Sequence, residues 1–169
     1  MNVVFISPHF PEYYHNFCSR LKDRGVNVLG VGDCQYDMIS DETKNSLTEY
    51  YYVGSLENYD EVYRACAYFS SHYGKIDWIE SENEYWLELE ATLRRDFNVT
   101  TGPQIQNMRC MKFKSAMKEV YKSAGLKVAD YIKLDTLDEA LEFTKKNGYP
   151  VNVKPANAVR ATHTNKLKD

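Results

Sequence analysis

Within its first 33 residues the chain lays out a strand, a helix and a second strand, and this opening restricts the fold more than any other feature. Val3–Ile6 is an apolar run that ends at Ser7-Pro8. A short continuous run of this kind reads as a strand buried on both faces. Pro11 opens a helical pattern in which Tyr14, Phe17, Cys18 and Leu21 fall at i, i+3, i+4 and i+7. Gly25 ends it, with Lys22 and Arg24 in the last turn. Val26–Val31 is the next apolar run and stops at Gly32-Asp33. A β-α-β unit of about thirty residues begins a doubly wound parallel sheet.

The pattern continues with irregular polar residues over 34–48 and a short strand at Tyr50–Val53. A helix follows over Tyr59–Tyr73, with Val62, Cys66 and Phe69 on one face and a stop at Gly74. Ile76–Ile79 reads as a fourth strand. Asn83 can cap a helix that runs to about Asp96, with Leu87, Ala91, Glu90 and Arg94 spread over its faces. The turn Thr100-Thr101-Gly102-Pro103 marks a boundary, which gives domains at 1–103 and 104–169. Beyond it the spacing predicts a long Lys- and Met-rich helix over Asn107–Ala124, closed by Gly125, and a strand over Val128–Leu134. Thr136 caps a helix over Leu137–Lys146, acidic in its first turn and basic in its last, as the helix dipole favours. A strand over Tyr149–Lys154 and a loop leading to a returning strand complete the chain. The fold class is therefore α/β: a Rossmann-like parallel-sheet domain followed by a small α+β subdomain.

Charge divides along the same line. Residues 1–106 hold 8 Lys and Arg against 17 Asp and Glu, and residues 107–169 hold 13 against 7. The acidic half is a poor partner for nucleic acid, whereas the basic half can hold an anion the size of a nucleotide. No apolar run approaches the roughly 18 residues of a membrane span. The N-terminus lacks the basic segment of a signal peptide. The four cysteines lie at least 16 residues apart, without a C-x-x-C pair. A cytoplasmic protein with reduced thiols is expected.

Three places can carry chemistry. The first strand–helix turn, Ser7-Pro8-His9-Phe10-Pro11, has no glycine. The bare backbone that a dinucleotide pyrophosphate needs is missing there, which argues against NAD or FAD. His9 can still touch a ligand at the strand end. Glu80, Glu82 and Glu84 follow the fourth strand and suit either a metal ion or amine, or the acidic first turn of a helix. Lys114 stands near the start of the basic helix, and Lys154 ends an apolar strand before Pro155. A lysine drawn out of water at a strand end calls for an anion, and phosphate suits such a point charge.

The residues Lys114-Ser115-Ala116-Met117-Lys118, then Ala124-Gly125-Leu126-Lys127-Val128-Ala129 and Tyr131, resemble the opening of the ATP-grasp domain. Tyr149-Pro150-Val151-Asn152-Val153-Lys154-Pro155 is similar to that family's YPVVVKP strand. Asp77–Gly102 resembles the end of the pre-ATP-grasp domain of carboxylate–amine ligase-like members. The resemblance covers nearly the whole chain through the order and spacing of these segments. It implies ATP and Mg²⁺ as cofactors, Lys114 and Lys154 as nucleotide-binding residues, and a carboxylate and a nucleotide as small-molecule partners. It further implies ATP-dependent ligation to an amine or thiol through an acylphosphate, with no nucleic acid or membrane partner.

Two departures qualify it. Ala158 and Arg160 stand where the family's phosphate loop has glycines, so the cradle is disfavoured, although the Arg160 guanidinium can take part in binding. The chain also stops at Asp169, before the family's metal ligands and catalytic arginine. Inactivity of this chain alone is therefore expected, with catalysis restored in a longer one. The alternative is a non-catalytic module for dimerisation or small-ligand binding that keeps a vestigial nucleotide site. Exposed apolar surface on the second domain would make it mobile or hold it in a homodimer.

Overall fold

The computed structural model describes residues 1–156 and 164–168. The chain divides into two compact units, residues 1–105 and 106–169.

Unit 1 is a four-stranded parallel sheet flanked by helices. Its strands are β1 (Asn2–Ile6), β2 (Asn27–Gly32), β3 (Glu49–Tyr52) and β4 (Trp78–Glu80), in the order β3-β2-β1-β4. All five residues of β1 are buried, which is why its sequence is a continuous apolar run rather than an alternating one. Its side chains nevertheless divide between two cores. Val4 and Ile6 join Leu29, Val31 and Ile79 against α3 (Tyr59–Tyr73) and α4 (Leu87–Asp96), which supply Val62, Ala65, Cys66, Phe69 and Leu93. Phe5 and Val28 turn the other way, to Tyr14, to Leu47 and to Cys18 of α1 (His15–Lys22).

The first helix departs from the expected stripe. Tyr14 and Cys18 are buried, but Phe17 points outward and is 43% exposed. Residues 34–48 are also more regular than expected. They contain α2 (Asp41–Ser46), whose N-cap Ser40 accepts the Thr43 N–H at 3.1 Å. Six polar residues show no apolar period, so the sequence signals for this helix were its cap and the charge order from Asp41 and Glu42 to Lys44. Asn83 caps as expected, accepting the Tyr85 N–H at 3.0 Å, and a 3-10 turn over Glu84–Trp86 then runs into α4.

Unit 2 corrects two expectations. The long helix over 107–124 is broken into α5 (Met108–Lys112) and α6 (Lys114–Ser123). Phe113, at φ −94° and ψ 117°, is extended between them. Gly125 at φ 75° closes α6, and Leu126 N–H returns to Tyr121 O at 2.9 Å, the bond that terminates a helix in the Schellman manner. Residues 128–134 form no strand. Side chains anchor them instead: the Tyr131 hydroxyl donates to Ser115 O at 3.3 Å, and Lys118 Nζ donates to Ala129 O at 3.2 Å. Lys118 and Lys122 lie 4.5 and 4.7 Å from the centre of the Tyr131 ring. The next helix, α7 (Leu137–Asn147), opens on a full capping box between Thr136 and Glu139. The expected strand over 149–154 shortens to β5 (Val151–Val153), antiparallel to β6 (Asn165–Leu167) with Val151 opposite Leu167. Among the described residues, no helix is long and apolar enough to cross a membrane.

Candidate functional site

In unit 1, β1 lies between β2 and β4, so the strand order reverses at β1. Open α/β sheets bind ligands outside the carboxyl ends of the strands at such a reversal. Both strand ends carry a non-glycine residue in the left-handed region: Ser7 after β1 at φ 57° and Glu82 after β4 at φ 56°. The Tyr14 hydroxyl donates to Glu82 O at 2.6 Å and joins the first helix to the second loop. Backbone held in this region costs about 1–3 kcal/mol per residue and concentrates at functional sites.

The glycine-free turn is closely packed. Cβ atoms built at Gly30 and Gly32 would come within 3.2 Å of Pro8 Cγ and 2.9 Å of His9 Nδ1 respectively. His9 Nε2 lies 3.4 Å from Asp33 Oδ1, while Nδ1 is buried and has no hydrogen-bond partner among the described residues. Burial lowers the His9 pKa, and Asp33 offsets this in part. A neutral ring that donates from Nε2 to Asp33 fits both facts.

The Glu80–Glu84 carboxylates do not converge. Glu80 is used internally: it accepts the backbone N–H groups of Ser81 at 3.1 Å and Glu82 at 3.3 Å, and faces Arg94 at 3.3 Å. Glu84 lies in the first turn of a helix. Among the described residues, no group of three His, Cys, Asp or Glu side chains could hold a metal ion.

Behind this edge is a buried polar cluster that the sequence did not single out. Arg94 and Glu90 are both fully buried, one helical turn apart on α4. The Arg94 guanidinium donates to Ile79 O at 3.0 and 2.5 Å, to Pro103 O at 2.8 Å and to Glu90 Oε2 at 3.0 Å. Ser81 donates its hydroxyl to the other Glu90 oxygen. The available signal was the i, i+4 spacing of Glu90 and Arg94 on the stripe that also carries Ala91.

Burial first, and the neighbouring Glu80 charge second, raise the Glu90 pKa to about 8, against the pull of Ser81 and Arg94. Unfolded, the group loses its proton near 4.5. Between these values the native state binds more protons than the unfolded chain, so this group makes stability fall as pH rises from 4.5 towards 8. Glu90→Gln should flatten that fall. Urea unfolding in steps across this range, followed by the fluorescence of Trp78 and Trp86 in unit 1, tests it. A gap between variant and wild type that stays constant with pH would mean that the carboxyl is ionised throughout.

In unit 2 the expected nucleotide residues stand as follows. Lys114 is half-buried and is the first residue of α6. Lys154 follows β5 and is exposed, so the expectation of a lysine drawn out of water at a buried strand end is corrected. The strand is three residues long and its own side chains are only partly covered. What joins the two lysines is backbone. Lys114 N–H donates to Ala156 O at 3.3 Å, which fastens the start of α6 to the segment just beyond Lys154. Ala158 and Arg160 lie outside the described residues.

No family model matches the sequence, and no curated protein matches it. Solved structures do match. An L-amino acid ligase from Bacillus licheniformis superposes with a TM-score of 0.68 at 17% identity, over 99% of this chain and 39% of the ligase. N5-carboxyaminoimidazole ribonucleotide synthetase from Thermotoga maritima gives 0.70 at 14% identity, over 99% of this chain and 41% of the synthetase. The biotin carboxylase domain of the Hydrogenobacter thermophilus 2-oxoglutarate carboxylase, a dimer in complex with MgADP and bicarbonate, gives 0.67 at 20% identity over 97% of this chain. It is covered over 37% of its own length, so this chain spans about two fifths of each of these structures. Both units, in chain order, fall within these matches. This chain therefore has the fold of the corresponding two fifths of these ligase, synthetase and carboxylase structures.

Proposed function

We propose that this chain supplies part of an ATP-dependent enzyme that activates a carboxylate for attack by an amine or thiol, with Lys114 and Lys154 meeting the nucleotide phosphates. The observation that carries this reading is the bond from Lys114 N–H to Ala156 O. It sets a helix start with its lysine beside the segment that bears the second lysine. Two ammonium groups anchored by one backbone contact fit a polyphosphate, because each can neutralise an oxygen without a glycine-rich loop.

When bound, ATP would supply the phosphoryl group that turns the carboxylate into an acylphosphate, and phosphate would leave when the amine or thiol attacks the acyl carbon. The described residues offer no three-ligand metal set, so Mg²⁺ fits here as a companion of the nucleotide phosphates rather than as a resident ion. The role of the protein in this portion is charge neutralisation and positioning.

Isothermal titration with Mg–ATP tests the proposal. Lys154→Ala and Lys114→Ala should each weaken binding at least tenfold, because a charge-assisted hydrogen bond is worth about 1.5–3 kcal/mol. Far-UV circular dichroism checks that α6 survives the second substitution. No binding by the wild type at millimolar ATP, or equal affinity in all three proteins, would replace this reading by a non-catalytic module.

A further inference from the structure

The helix that begins at Lys114 is not held by a core. None of the ten residues of α6 is buried. The extended Phe113 separates it from α5, so the preceding helix does not set its rotation. What holds α6 is one face. Ser115, Lys118, Glu119 and Lys122 fall at i, i+3, i+4 and i+7, which is a single line along a helix. All four meet Tyr131. Its hydroxyl lies 3.3 Å from Ser115 O and against the Glu119 carboxylate. Its ring takes the Lys118 and Lys122 ammonium groups at 4.5 and 4.7 Å from its centre. Lys118 Nζ reaches on to Ala129 O at 3.2 Å, and Lys122 pairs with Glu119 at 3.8 Å. Two lysines of the basic helix are thus committed to Tyr131 and its neighbours, and Lys114 stands one residue before the Ser115 contact.

We infer that Tyr131 is a positioning residue for Lys114: its hydroxyl, at Ser115 O, sets the rotation of α6 and so the direction in which the Lys114 ammonium meets a nucleotide phosphate. The inference rests on the proposed role of Lys114 in nucleotide binding. The bond from Lys114 N–H to Ala156 O at 3.3 Å fixes one point at the start of the helix. A single point leaves a helix without buried side chains free to turn about its axis. The contact at Ser115 supplies a second point, and two points fix the rotation. Rotation decides where each side chain leaves a helix. A lysine whose helix is already oriented loses less freedom when a phosphate arrives, so affinity rises without any new contact to the ligand. The ring and the hydroxyl have separate tasks here. The ring gathers the ammonium groups of Lys118 and Lys122 by cation–π attraction. The hydroxyl reaches the first turn, where Lys114 lies.

Tyr131→Phe tests it, because the substitution keeps the ring over both ammonium groups and removes only the hydroxyl. Isothermal titration of the full chain with Mg–ATP is the measurement, and far-UV circular dichroism confirms that each variant keeps its helices. Tyr131→Phe should weaken binding roughly three- to tenfold, the effect of one lost hydrogen bond. The same substitution should cost nothing further once Lys114 is alanine, and should add in full to Lys154→Ala, since Lys154 follows β5 rather than lying on α6. That pattern separates positioning from a general loosening of unit 2, which would combine in the same way with both lysines. Wild-type affinity in Tyr131→Phe, or a loss that persists in full in the Lys114→Ala background, overturns the inference and leaves the proposed function standing. A wild type that binds no Mg–ATP overturns both.

Discussion

Above pH 8, where Glu90 is ionised, replacing Arg94 with alanine is expected to cost unit 1 about 3–5 kcal/mol, the range found when one partner of a buried ion pair is removed. The guanidinium is fully buried and holds four groups at once: the Ile79 carbonyl, the Pro103 carbonyl, Glu90 and Glu80. Truncation removes a donor from each of them. Glu90, itself fully buried, keeps the Ser81 hydroxyl as a donor, and two main-chain carbonyls lose a charged partner. Part of the loss is recovered when Glu90 takes up a proton, which its raised pKa makes easy. Domains of this size are stable by only about 5–15 kcal/mol in total, so a substantial fraction should disappear. Urea unfolding followed by the two tryptophans, both in unit 1, measures it. Arg95→Ala is the matched control. Arg95 is exposed and pairs with Asp96 in water at 2.7 Å, so its loss should leave the midpoint almost unchanged. Equal effects at positions 94 and 95 would mean that the buried cluster contributes nothing specific.

The contrast between these two arginines shows where the sequence is readable. The strands and helices of unit 1 could be placed because apolar spacing reports directly on burial: Val3–Ile6 lies inside β1, and Tyr59–Tyr73 is α3 end to end. The sequence distinguishes Arg94 from Arg95 only by helical phase. Arg94 shares a stripe with Ala91, but a charged residue there reads as solvated until the carbonyls that receive it are known. Phe17 fails in the opposite sense. Its spacing placed it with Tyr14 and Cys18, and only the position of α1 on the sheet turns it outward. In unit 2, Phe113 interrupts a helix whose composition is uniform across the break. Tyr131 holds residues 128–134 to α6 by side-chain contacts that no backbone period records. The motifs singled out the two lysines as candidates. Their connection through Ala156 was not, because it is a backbone contact across 42 positions of chain.

Phe69→Ala should destabilise unit 1 by a similar amount, about 3–5 kcal/mol, for an unrelated reason. Phe69 is fully buried in the larger core. Its ring meets Tyr51 at 6.1 Å, Tyr68 at 5.7 Å and Tyr73 at 6.3 Å, each at a steep angle. Edge-to-face pairs of this kind add about 0.5–1.5 kcal/mol beyond the area they bury. The cost of a core truncation depends on how far the neighbours can collapse into the space. Here they are restrained, because the Tyr68 and Tyr73 hydroxyls both donate to Glu49 on β3, at 2.8 and 2.7 Å. Moving either ring inward would break a hydrogen bond to a carboxylate, so the cavity should stay open and the loss should fall in the upper part of the range. Adding Glu49→Gln to Phe69→Ala separates the two contributions. If pinning keeps the cavity open, the double variant should be more stable than the sum of the single effects predicts, because the tyrosines are then freer to relax. Strict additivity would mean that the rings already collapse in Phe69→Ala, and the single-variant loss should then lie near the bottom of the range.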